Sequence, residues 1–266
     1  MPPISRRVDS RYCPIDFGEK ASKKSRLRSK YSGFDSVLFD EYPTPMRRLL
    51  ILSFILISLS TQAQTWTPDS YTNYNETSFY RIESLYSAID FSQVNFPLLQ
   101  AAIFFVTNEE RKKAKLSPFE FRSEIENVAS GHAQDMVKYG FYSHTSKIRI
   151  KRTLLDRFHL EGLNPEYYGE NICSTYGLQY QAGRKVNPPY PSGEFTYAFT
   201  SKKEVILPHT YLTFAKSVVK LWMESPGHRQ NILNPQFKTL GCGARVYREK
   251  NFYNMPYFMV VQNFGN

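Results

Sequence analysis

The stretch Trp222-Met223-Glu224-Ser225-Pro226-Gly227-His228-Arg229-Gln230-Asn231-Ile232-Leu233-Asn234-Pro235 decides how the rest of this chain is read. Just upstream, Phe214, Val218, Leu221 and Trp222 recur at helical steps behind Thr213 as a cap, so a helix runs into the tryptophan. Pro226-Gly227 stops that helix, and Asn234-Pro235 closes the segment with a turn. His228 therefore falls at an element boundary, where a side chain can face a cleft; a mid-helix position faces core or solvent. Beyond Pro235 the period changes. Residues 240–247 and 257–264 are rich in β-branched and aromatic side chains, separated by a loop with Asn251, Asn254 and Pro256, and read as paired strands.

Working back toward the N-terminus, Leu98, Leu99, Ala102, Ile103 and Val106 mark a helix over 98–115. Ser117-Pro118-Phe119-Glu120 has the form of a capping box and opens a second helix, whose stripe is Phe121, Ile125, Val128, Ala129, His132 and Met136, with Gly140 as its left-handed exit. A short helix over 153–160 ends at Gly162. Residues 175–209 show no sustained period, an insertion longer than ordinary connections, and are expected to border the cleft and control access to it. Residues 64–95, rich in Tyr, Ser, Thr and Asn, read as a linker with a short helix around Ser84 to Ile89. Helices first and paired strands last argue a layered α/β arrangement with an antiparallel sheet.

Two more titratable groups sit at boundaries: His144 in Gly140-Phe141-Tyr142-Ser143-His144-Thr145-Ser146, and Glu170 in Gly169-Glu170-Asn171-Ile172. Two imidazoles and a carboxylate brought together suit a divalent metal, zinc being the natural candidate, or an acid and base pair. Each group also has a plainer reading. A loop histidine usually hydrogen-bonds or faces solvent, and a glutamate beside glycine can accept backbone N–H groups and hold a turn. His132, on an apolar stripe, reads as a satisfied core histidine, and no H-E-x-x-H helix motif is present.

Taken in order, F-Y-S-H-T-S, G-E-N-I, W-M-x-S-P-G-H-R-x-N-I-L-N-P and a closing V-Q-N-F-G (261–265) resemble the bacterial branch of the CAP superfamily, the cysteine-rich secretory, antigen 5 and pathogenesis-related proteins with an SCP-like domain. The likeness spans roughly residues 97–266. It implies a three-layer α-β-α sandwich with a small antiparallel sheet flanked by helices. It also implies a cavity that, in eukaryotic members, is lined by two histidines and two glutamates and can hold a divalent metal. His144, Glu170 and His228 match three of those positions, with His144 and His228 as the metal-binding pair. Ser225 stands where the second glutamate falls. Glu224, one residue earlier and about 100° around a helix, is the available substitute.

Three functions remain open on these residues. The first is a secreted, non-enzymatic protein whose cleft takes a metal and a lipid, peptide or glycan-like ligand, since no activated nucleophile is visible. The second is a metal-assisted, peptidase-like extracellular hydrolase with Glu170 as general base. The third is a structural cell-envelope module in which the motifs hold loops together.

Export is read from Met46 onward: Arg47 and Arg48, an apolar run from Leu49 to about Leu59, then small and polar residues to Ala63, the proportions of a signal peptide rather than of a membrane span. Residues 1–45 form a charged leader, either a start placed too early or a cytoplasmic extension. From residue 64 on there are 23 Lys+Arg against 18 Asp+Glu, a net +5, which gives no argument for nucleic-acid binding. The exported part keeps Cys173 and Cys242, either a disulfide or two buried thiols.

Overall fold

A computed structural model describes residues 66–189 and 193–266; the leader, the signal peptide and Cys13 lie outside them. Its helices are α1 Ser70–Asn73, α2 Glu76–Phe79, α3 Phe96–Lys113, α4 Ser123–Tyr139, α5 Leu154–Leu160, α6 Tyr211–Glu224 and α7 Pro226–Ile232. The strands are β1 Glu120–Phe121, β2 Tyr168–Tyr176, β3 Val186–Asn187, β4 Thr196–Tyr197, β5 Thr239–Glu249 and β6 Met255–Gly265. The main sheet runs β1-β5-β6-β2, with β6 antiparallel to both neighbours and β1 a two-residue parallel edge on β5.

Strand alternation sorts side chains into two cores. Phe258, Val260 and Phe264 join Cys173, Leu240, Cys242 and Ala244 against α3 and α6. Met259, Val261 and Ile172 face Ala129, Ala133 and Met136 of α4 on the other side. The expected α-β-α sandwich is therefore the fold, and β6 is buried along its whole length because helices cover both faces.

What lets α4 lie directly on β5 is the pair Gly241 and Gly243. A Cβ on Gly241 would fall 2.1 Å from the Glu126 amide nitrogen, and one on Gly243 would fall 2.3 Å from the Ala129 carbonyl carbon. No side chain fits between helix backbone and strand at those positions.

Several sequence expectations change, and the alternative left open for the cysteines closes. Residues 66–95 are not a linker: Trp66, Tyr71, Phe79, Leu85 and Ile89 are buried in the α3 core, with the Trp66 ring 5.4 Å from Tyr71 and 5.5 Å from Phe79. The expected short helix there is a 3₁₀ turn at Glu83–Tyr86. Ser117–Glu120 does not open α4. Glu120 instead donates its N–H to Lys238 O and pairs with Thr239, and the helix begins three residues later. The cap of α6 is Thr210, with Thr213 as its capping-box partner; α6 ends at Glu224 ahead of Pro226-Gly227 as expected, and Pro226 then opens the short α7. Finally, Cys173 lies opposite Val260 and Cys242 opposite Gln262, so strand β6 separates them. Two strand spacings of about 4.8 Å each exceed disulfide reach, and both are buried thiols outside any disulfide.

The 175–209 segment also sits elsewhere than expected. It leaves β2 at Tyr176, six residues past Glu170, a distance of roughly 20 Å along a strand, and rejoins the chain at the start of α6, whereas His228 follows that helix's end. Its aromatic packing is with the far tip of the β5–β6 hairpin: Tyr180 lies 5.4 Å from Phe252 and Tyr176 lies 4.8 Å from Tyr257. Among its described residues, this packing lies at the opposite end of β2 from Glu170.

Candidate functional site

The first site loop begins where Gly140 exits α4 at φ 60°. His132, on the buried face of α4, holds the Ser143 carbonyl at 3.0 Å through Nε2, which sets the position of the next residue. His144 then reaches Glu170 on β2, Nδ1 to Oε1 at 2.8 Å. A carboxylate only accepts, so the proton sits on Nδ1.

Glu170 is committed on both oxygens. Arg157 of α5, itself buried, donates from Nη2 to Oε2 at 2.6 Å. Asn263, with its amide nitrogen turned toward the carboxylate, donates to Oε2 at 3.1 Å. His132 Nε2 stands 3.9 Å from Oε1. Burial works to raise the Glu170 pKa, but Arg157, His132 and His144 together outweigh it and hold the group down at about 2. Arg157 does a second job, donating from Nη1 to the carbonyls of His144 and Lys151, so one guanidinium anchors both the carboxylate and the loop carrying the histidine.

His228 comes from the other side, on α7. Its Nδ1 meets Ser225 Oγ at 2.8 Å. Ser225 is the N-cap of α7, yet its side chain caps no backbone N–H and goes to the ring instead. Burial, and then the charge of His144, push the His228 pKa down to about 4, so the ring is neutral at physiological pH. Asn171, next to Glu170 on β2, donates to the His228 carbonyl, and Asn231 of α7 donates to the Glu170 carbonyl, which sets α7 beside that stretch of strand. Glu224 is not part of this group. Its side chain is 61% exposed and lies 3.7 Å from Lys220, because one helical step turns it to the solvent face.

A line of buried amides fastens α7 to the sheet. Asn231 donates to the Glu170 carbonyl (3.3 Å) and to Asn171 Oδ1 (2.9 Å). Asn171 donates to the His228 carbonyl (3.2 Å) and Gln262 Oε1 (3.1 Å). Gln262 continues to Thr107 Oγ1 at 2.6 Å, inside α3. Trp222 Nε1 donates to the Ile172 carbonyl, and Arg111 spans Ser117, Ile232 and Asn234 carbonyls. Asn171, Asn231 and Gln262 thus serve the scaffold. Arg157 and Arg111 carried no sequence signal, since spacing does not separate a buried arginine from a solvated one.

The histidine shifts give acid a definite effect. Between pH 6.5 and 4 the unfolded chain binds a proton at His228 that the folded chain refuses, so stability falls as pH falls; from 4.5 down to 2 Glu170 adds its own loss. The His228 shift alone corresponds to about 3 kcal/mol. His209, pushed down to about 4, and His132, also lowered, act in the same sense. Glu126, raised to about 7 by burial, opposes them over this range. Urea midpoints measured at pH 7 and pH 4.5 should drop with acid, and drop further in Glu126→Gln. A flat profile in that variant would contradict the buried neutral imidazoles.

Residues 104–264 match the model of the CAP, cysteine-rich secretory protein family. The chain belongs to this family. It is 28% identical over 138 residues to the uncharacterized protein YkwD of Bacillus subtilis, covering 52% of this chain and 39% of that one. It is 28% identical over 151 residues to the uncharacterized membrane protein YlbC of the same organism, covering 56% and 33%. Among solved structures it resembles an extracellular SCP-domain protein of Bacillus anthracis (24% identity, TM-score 0.43, covering 65% of this chain and 42% of that one). A Borrelia burgdorferi outer surface protein is also similar (20% identity, TM-score 0.39, covering 68% and 97%). The CAP chain thus spans well under half the length of its two curated relatives. Among its described residues no helix is long and apolar enough to cross a membrane.

Proposed function

We propose that this CAP protein is exported, by way of the 46–63 signal peptide, and that its His144–Glu170–His228 cleft binds a ligand without catalysis. The observation that carries the reading is the state of Glu170. With both oxygens engaged and a pKa near 2, it organises its neighbours and is poorly suited to take a proton from water, as a general base must. The nearby hydroxyls of Ser143 and Ser146 are likewise occupied, accepting backbone N–H groups of Thr145 and Ile148.

Among the described residues no three His, Cys, Asp or Glu side chains are placed to hold an ion together, so a closed zinc centre does not fit. A two-histidine ion site would use Nε2 of His144 and of His228, since Nδ1 of each ring meets Glu170 or Ser225. The rest of its shell would come from water or from the lipid, peptide or glycan ligand. Glu170 and Ser225 would then orient the two ligating rings. Zinc titration by calorimetry at pH 7.5 tests this. Binding should disappear in His144→Ala and in His228→Ala and persist in Glu224→Ala; zinc affinity unchanged in His144→Ala would overturn it. The structural reading is favoured for Asn171, Asn231 and Gln262, whose side chains join elements to one another.

A further inference from the structure

We infer that the turn beside His144 docks the protein on an anionic lipid surface. Between Asp135 and Asp156 the chain carries Lys138, Lys147, Arg149, Lys151 and Arg152 and no acidic residue, a surplus equal to the net charge of everything from residue 64 on. Lys147 is turned to the carbonyls of Tyr139 and Gly140, and Lys151 to Asp135 at 3.0 Å. Lys138, Arg149 and Arg152 are exposed, and among the described residues neither arginine forms an ion pair.

This turn is held, not loose. Arg157 grips the carbonyls of His144 and Lys151 from beneath, Ser146 donates its N–H to Arg152 O at 2.9 Å, and Lys151 donates to Ile148 O at 3.0 Å. Yet its tip presents Ile150 with 65% of its surface exposed, and at the end of the adjoining α5 Leu160 is 53% exposed. Tyr139, the last residue of α4, and Tyr142 on the loop that follows are exposed.

Three partners differ in what they explain. A soluble anion accounts for the arginines but gives no reason to display Ile150. An apolar protein groove accounts for Ile150 but not for the exposed Lys138, Arg149 and Arg152. An anionic membrane surface takes both, with cations at headgroup level, tyrosines at the boundary and an aliphatic tip below it. The inference is independent of the metal reading.

Sedimentation of the purified protein with vesicles tests it, comparing phosphatidylcholine alone with phosphatidylcholine carrying one-third phosphatidylglycerol. Binding is expected to the anionic vesicles only and to be unaffected by a chelator. The pair Arg149→Glu with Arg152→Glu should weaken it at least tenfold, at roughly 1 kcal/mol per charge near the surface, and Ile150→Ser several-fold, with circular dichroism and Tm unchanged. Equal binding to neutral vesicles would overturn the proposal. So would an Ile150→Ser variant that binds as the parent does while heparin competes fully, because the partner would then be a soluble polyanion.

Discussion

Arg157→Met should lower the stability of this domain by roughly 3–5 kcal/mol, because it leaves the Glu170 carboxylate buried without its cation. Two carbonyls, those of His144 and Lys151, lose their donor at the same time. In a protein of this size the loss corresponds to a Tm fall of about 10 °C or more. Adding Glu170→Gln to Arg157→Met should recover part of it, since the uncompensated charge is then gone. If the two changes were simply additive, the guanidinium and the carboxylate would not be interacting as the 2.6 Å contact requires.

Gly243→Ala is expected to be as damaging by a different route. Its Cβ would lie 2.3–2.4 Å from Ala129 and Ser130 backbone atoms, and a helix backbone cannot rotate aside as a side chain does. Helix α4 would have to lift from β5, taking His132 and the start of the His144 loop with it. Overpacking typically costs 1–3 kcal/mol, and backbone against backbone belongs at or above the top of that range. Gly131→Ala, on the same helix with nothing within 4 Å of the added carbon, should instead stabilise by about 0.5–1 kcal/mol. Equal effects at the two positions, read from urea unfolding, would contradict the direct contact between α4 and β5.

The contrast between those glycines shows what was legible beforehand. The β5–β6 pair and the long helices follow from period and breakers, which act locally, and the α-β-α order follows from them together with the family motifs; β2, which carries Glu170, was not among the expected strands, and His228 falls inside α7 rather than at a boundary. The errors are places where a distant partner overrides a local signal. Ser117-Pro118-Phe119-Glu120 has the pattern of a helix start, but pairing with Thr239 draws Glu120 into an extended edge. Residues 66–95 look polar, yet their aromatic members find the uncovered side of α3. Glu224 and Ser225 differ by one position, and only the helix phase sends the first to solvent and the second to His228. Arg157 was invisible because a charged residue on a short helix is ordinarily solvated; its role exists only once Glu170 is buried beside it.

The most direct measurement is the nitrogen-15 spectrum of the histidine rings at pH 7. His144 should show a slowly exchanging proton on Nδ1, held by Glu170, and that signal should shift in Glu170→Gln and in Arg157→Met, while the ring of the exposed His159 stays as it was. A His144 ring protonated only on Nε2, or one indifferent to both substitutions, would mean that the imidazole and the carboxylate do not meet.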